Sequence, residues 1–142
     1  MFRTLGFVVT AVVFALIGSQ IPRSISVKVP HQSQACADDN CKVIVKVDSG
    51  WLSSEAYVDY ELTEAKGHHI NFEIADDAAS RYEFPGDGIV FTAGFDCQKT
   101  GKKFRCTNRT PSQYGVYKYT VHVFDTRYSK NLDPLDPWVV NN

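Results

Sequence analysis

The sequence predicts an all-β fold, an antiparallel β-sandwich with two local disulfides, and three observations carry that expectation. Tyr117, Tyr119, Val121 and Val123 alternate with Lys118, Thr120 and His122, the period-two pattern of a strand with one buried face. Elsewhere Val, Ile, Tyr, Phe and Thr recur in short runs broken by Gly, Pro, Asp and Ser, without a long helical period. Cys36, Cys41, Cys97 and Cys106 form an even set whose spacing suits local bridges.

The first residues differ from the rest. Arg3 precedes an apolar run from Leu5 to Ile17, and Gly18-Ser19-Gln20 follow. This is the pattern of a secretory signal peptide over residues 1–19, and the run is shorter than the roughly 20 apolar residues a membrane-spanning helix needs. No cysteine ends the run, so a lipid-modified amino terminus is not expected. Residues 20–142 then form one β-sandwich domain, secreted or periplasmic, with no membrane span after cleavage. Losing Arg3 leaves 14 Lys and Arg against 16 acids, a balance that calls for no nucleic acid partner.

An oxidising destination makes disulfides the default reading of the cysteines. Gly101-Lys102 fits a two-residue turn with glycine first, as a type II′ turn requires. Counting outward from it sets Thr100 against Lys103, Lys99 against Phe104, Gln98 against Arg105 and Cys97 against Cys106. Directly opposed strand residues lie close enough to bridge. Cys36 and Cys41 then staple a turn of their own. Neither pair has Cys-x-x-Cys redox spacing, and eight residues separate the second pair, more than zinc sites usually allow.

Further strands are expected at Ser24–Val29, Cys41–Asp48, Ala56–Thr63, His68–Ala75 and Ile89–Cys97, the last with a bulge at Gly94, and at Trp138–Val140. Pro85-Gly86-Asp87-Gly88 reads as a turn, Asp76–Ser80 as a loop, and Asp125–Asp136, polar and proline-bearing, as another.

Gly115-x-Tyr117-x-Tyr119-x-Val121 resembles the penultimate strand of immunoglobulin-like and cupredoxin-like sandwiches. With Asp136-Pro137-Trp138-Val139-Val140-Asn141 it makes residues 114–141 similar to small exported bacterial proteins of unknown function. The resemblance implies the fold and no activity. A cupredoxin copper site would need a cysteine where Val121 stands and a nearby methionine, but the only methionine is Met1, so no cofactor is expected.

Lys99, Lys102, Lys103, Arg105 and Arg109 gather positive charge on the predicted hairpin, while residues 55–87 are mostly acidic. The hairpin is therefore the candidate surface for an anionic envelope component or a protein partner. Trp51 and Trp138 are candidate stacking residues, although the core is the expected place for Trp in a sandwich. His69, Glu73 and His122 are the only weak metal candidates, because adjacent strand residues such as His68 and His69 point apart. No nucleophile elbow, zinc-binding helix or phosphate-cradling loop is present. Asn108-Arg109-Thr110 matches a glycosylation acceptor, with Pro111 directly after it.

Three function classes follow. An exported non-catalytic sandwich that binds a protein or envelope component comes first. A structural or accessory subunit of an envelope complex is second, to be recognised by an exposed apolar edge or patch. A small secreted hydrolase with a loop-built site is third.

Overall fold

The computed structural model describes residues 33–36 and 39–141. The expected signal segment, the strand at Ser24–Val29 and Ala37-Asp38 of the first cysteine loop lie outside the described residues. Thirteen strands and no helix are found among those described.

Two five-stranded sheets pack face to face. In the first, β1 (Gln34–Ala35), β4 (Leu62–Ala65), β13 (Trp138–Asn141), β10 (Gly115–Val121) and β7 (Ile89–Phe91) lie side by side in that order. In the second the order is β3 (Ser54–Val58), β2 (Asn40–Ser49), β5 (His69–Ile74), β9 (Lys103–Asn108) and β8 (Phe95–Thr100). A small third sheet joins β6 (Tyr82–Glu83), β11 (Phe124–Asp125) and β12 (Lys130–Asn131). The sandwich-like all-β expectation is met, but the large sheets are mixed: β1 with β4, β4 with β13 and β2 with β5 run parallel.

The core follows the predicted alternation. On β10, Tyr119 and Val121 are buried, and Val123 continues the buried face beyond the strand. Tyr119 meets Phe91 from its own sheet and Phe72 from the other, with ring centroids 5.0 and 5.2 Å apart. Phe91 stacks on Phe95 at 4.2 Å, and Phe95 meets Tyr117 edge-on. This aromatic chain crosses the interface between the sheets repeatedly, and paired rings add attraction beyond the area they bury.

The Tyr119 hydroxyl has no hydrogen-bond partner among the described residues, and burial pushes its phenol above its ordinary pKa. A buried donor without a partner costs more than its removal. Tyr119→Phe is therefore expected to raise stability by about 1 kcal/mol in urea unfolding. A loss of stability would mean that the hydroxyl is satisfied in the folded protein.

Both local disulfides are formed, Cys36–Cys41 and Cys97–Cys106. The second sits in the register expected from the turn, with Thr100 opposite Lys103 and Cys97 opposite Cys106. Gly101 has φ of 62°, and Lys102 is not among the residues of positive φ, as the type II′ assignment requires.

Three expectations are corrected. Ala56–Thr63 is not one strand: the chain leaves β3 after Val58 and enters β4, in the opposite sheet, at Leu62. The crossing shifts the buried phase, so Thr63 and Ala65 face the core and Leu62 does not. Gly94 is a corner and not a bulge within one strand, because β7 belongs to one sheet and β8 to the other. Residues 125–136 are not all loop, since β11 and β12 form a short hairpin there.

Candidate functional site

Two hairpin tips and one dipeptide build a depression of about 470 Å³ at the end of the second sheet. The first tip is Gly50-Trp51-Leu52-Ser53, closing β2 and β3 where Ser49 faces Ser54. Its tightness depends on Gly50, because a Cβ there would lie 2.8 Å from the Ser53 carbonyl oxygen. The second tip, residues 126–129, joins β11 to β12, with Ser129 in the left-handed region at φ 50°. Such a conformation is uncommon outside glycine.

Arg81-Tyr82 holds both tips. The buried Tyr82 hydroxyl hydrogen-bonds the Ser49 and Ser54 hydroxyls at 2.9 and 2.7 Å, fixing the base of the first. Arg81 donates through Nε and Nη2 to the two oxygens of Asp125, at 3.0 and 2.7 Å, fixing the second. Asp125 is fully buried, and its Oδ1 also accepts the Arg127 backbone N–H. The Arg81 carbonyl in turn accepts from the Thr126 amide and hydroxyl. Hydrogen bonding from Arg81 holds the Asp125 carboxyl below its ordinary pKa, against the desolvation that pushes it up.

Charge and apolar surface meet in this cleft. Tyr128, 61% exposed, lies 5.3, 5.5 and 5.9 Å from the cationic ends of Arg81, Arg127 and Lys130, all within cation–π reach. Three cations line the depression against one carboxylate, and Arg81 already occupies that carboxylate. Trp51 and Leu52 rise from the opposite rim, 94% and 80% exposed. The lining residues include no histidine and no second carboxylate.

The hairpin expected to bind anions is largely satisfied internally. Lys99 Nζ donates to the Phe84 carbonyl at 2.6 Å and Lys102 Nζ to that of Ala79 at 3.4 Å. Lys103 pairs with Glu73 at 2.7 Å, and Arg109 makes a two-point pair with Asp96. Arg105 stands opposite Asn71 and Gln98. Glu73 and Asp96 thus neutralise Lys103 and Arg109, which reduces the field the hairpin can offer a ligand.

The other candidates separate. Trp51 and Trp138 are exposed, contrary to the expected core placement, and they have different neighbours. Trp51 lines the cleft, while Trp138 lies on the outer face of the first sheet, with the Lys118 ammonium 5.9 Å from its ring. Both indoles follow positions that place them outside the sandwich: a hairpin tip for Trp51, and for Trp138 the strand residue before buried Val139.

His69 and Glu73 sit on β5, whereas His122 follows β10 in the other sheet. Glu73 is bound by Lys42 and Lys103, which lower its pKa, and His69 Nδ1 lies 3.2 Å from the Thr107 hydroxyl. Among the described residues no three metal-binding side chains converge. Asn108 is buried, its Oδ1 accepting from the Thr110 amide, so the folded chain does not present that acceptor.

Arg81, Asp125, Arg127, Tyr128 and Lys130 went unnoticed in the sequence. The one local signal is Arg127-Tyr128-Ser129-Lys130, a basic and aromatic turn; its partner Arg81 is 44 residues from Asp125.

Fold and site together define a sandwich-like, disulfide-stapled all-β protein with a basic, aromatic cleft. No family model matches the chain, and no characterised protein sequence matches it.

Proposed function

We propose that the protein is an exported, non-catalytic binding module that takes an anionic envelope component in the cleft between residues 49–54 and 125–130. The observation that carries this reading is the uncompensated charge of Arg127 and Lys130 around Tyr128, beside an Arg81 whose charge Asp125 already pairs. Two like charges held around one ring repel each other, and a bound anion relieves that repulsion. Two disulfides suit an oxidising destination, and no helix among the described residues is long and apolar enough to cross a membrane.

The test is titration calorimetry with two soluble anionic polymers, polyphosphate and polygalacturonate. Arg127→Ser combined with Lys130→Ser should weaken binding about tenfold, because each charge-assisted contact contributes on the order of 1 kcal/mol or more. Lys102→Ser combined with Arg105→Ser, on the hairpin, should change it by no more than about twofold. Equal losses in the two variants, or no binding of either polymer or of anionic lipid vesicles, would overturn the proposal.

A second reading, an accessory subunit, draws on the outer face of the first sheet. Val90, Val116 and Trp138 are exposed there on adjacent strands, with Lys118 and Thr120 between them on the same face, a mixed surface that a protein neighbour can cover.

A further inference from the structure

We infer that the occupant of the cleft is an anionic lipid surface, with Trp51 and Leu52 entering the interfacial layer and Arg127 and Lys130 meeting the headgroups. This rests on the anion-binding reading above and commits it to one partner. A soluble acidic polymer would use Arg127 and Lys130, and a sugar ring would also use the Trp51 indole. Neither has a use for an aliphatic side chain at the very tip of the loop. Lipid takes both, since Trp favours the boundary between headgroups and hydrocarbon and Leu favours the hydrocarbon side.

The exposure of the two side chains is enforced by the structure around them. Tyr82 clamps Ser49 and Ser54 at the base of the loop, and Gly50 packs tightly on the Ser53 carbonyl, so the tip is held away from the core. Tyr128 places a second exposed aromatic ring on the facing tip, with Arg127 and Lys130 beside it. Apolar residues on one rim and cations on the facing rim answer the two demands of an anionic interface. Burial of apolar area meets the first and attraction to lipid charge the second.

Trp138→Phe leaves Trp51 as the only indole, so its emission reports the loop directly. Vesicles of phosphatidylcholine with about a third phosphatidylglycerol should shift that emission to shorter wavelength, and phosphatidylcholine alone should not. In co-sedimentation with the same vesicles, Trp51→Ala combined with Leu52→Ala should lose about tenfold or more in affinity. Arg127→Ser combined with Lys130→Ser should lose about twentyfold.

Two further outcomes separate this inference from the reading beneath it. Binding of polyphosphate or polygalacturonate with no response of Trp51 to vesicles overturns the lipid assignment and leaves the anion cleft standing. An indole shift from polygalacturonate at least as large as that from anionic vesicles assigns the cleft to acidic saccharide and also overturns it. If neither polymer nor vesicle binds, both readings fall.

Discussion

Asp125→Ala is expected to destabilise the protein by about 3 kcal/mol, the scale for removing one partner of a buried ion pair. The carboxylate is fully buried and accepts two hydrogen bonds from Arg81 and one from the Arg127 backbone. Its loss frees Arg81 and unties the turn that carries Tyr128. The cleft and the fold should therefore weaken together, as read by urea unfolding and by polyanion affinity. A loss under about 1 kcal/mol would place the pair among surface ion pairs of small net effect.

The same variant carries a pH signature. Asp125 has a native pKa below its ordinary value, chiefly through Arg81. In acid the unfolded chain therefore takes up the proton before the native state does. The contribution of Asp125 is complete above the unfolded pKa of about 4 and is lost as pH falls through the lower, native value. The stability gap between wild type and Asp125→Ala should thus be widest at neutral pH and narrow at low pH. Glu73, Asp96 and Asp136 are also shifted downward, but their effects are present in both proteins and cancel in the difference. A gap that stays constant down to strong acid would show that the native carboxyl gains nothing from its charge.

Gly94→Val should be comparably damaging. Gly94 has φ of 79°, costly for any residue with a Cβ, and an added Cβ would run into the Tyr117 ring. The corner cannot shift freely, because the Gly94 carbonyl accepts from the Arg109 amide at 2.9 Å while Phe91 and Phe95 stack on either side of it. Backbone strain and crowding together come to about 3 kcal/mol, or roughly 10–15 °C in Tm for a domain of this size. Gly86→Ala is the matched control. Nothing lies within 4 Å of a Cβ there and φ is not positive, so Tm should stay the same or rise slightly. Equal Tm losses at the two glycines would remove the special role of the corner.

What the sequence revealed was mostly local. The Cys97–Cys106 staple could be placed because the turn residues and the count of strand positions on either side of Gly101 agree without help from the rest of the chain. The buried face of β10 was readable because its alternation is uninterrupted. Ala56–Thr63 misled, because apolar residues keep a regular period while the chain changes sheet at Asp59-Tyr60-Glu61, and only the pairing partners show the phase shift. Trp51 misled in another way: size and hydrophobicity favour the core, and only the hairpin tip around it overrides that preference. The cleft itself was illegible. Its members come from residues 49–54, 81–82 and 125–130, and their meeting depends on long-range strand pairing that no local pattern encodes.

The position of β13 has a consequence for how the molecule assembles. That strand inserts between β4 and β10, setting Trp138 beside Leu62. β4 and β10 must therefore wait for segment 138–141 before their sheet has a middle. That sheet cannot be completed stepwise from the amino end, and closure over so long a span belongs to the slow, high-contact-order class of folding reactions. Until that strand docks, β4 and β10 each keep a bare edge, and such edges are where association with other chains begins.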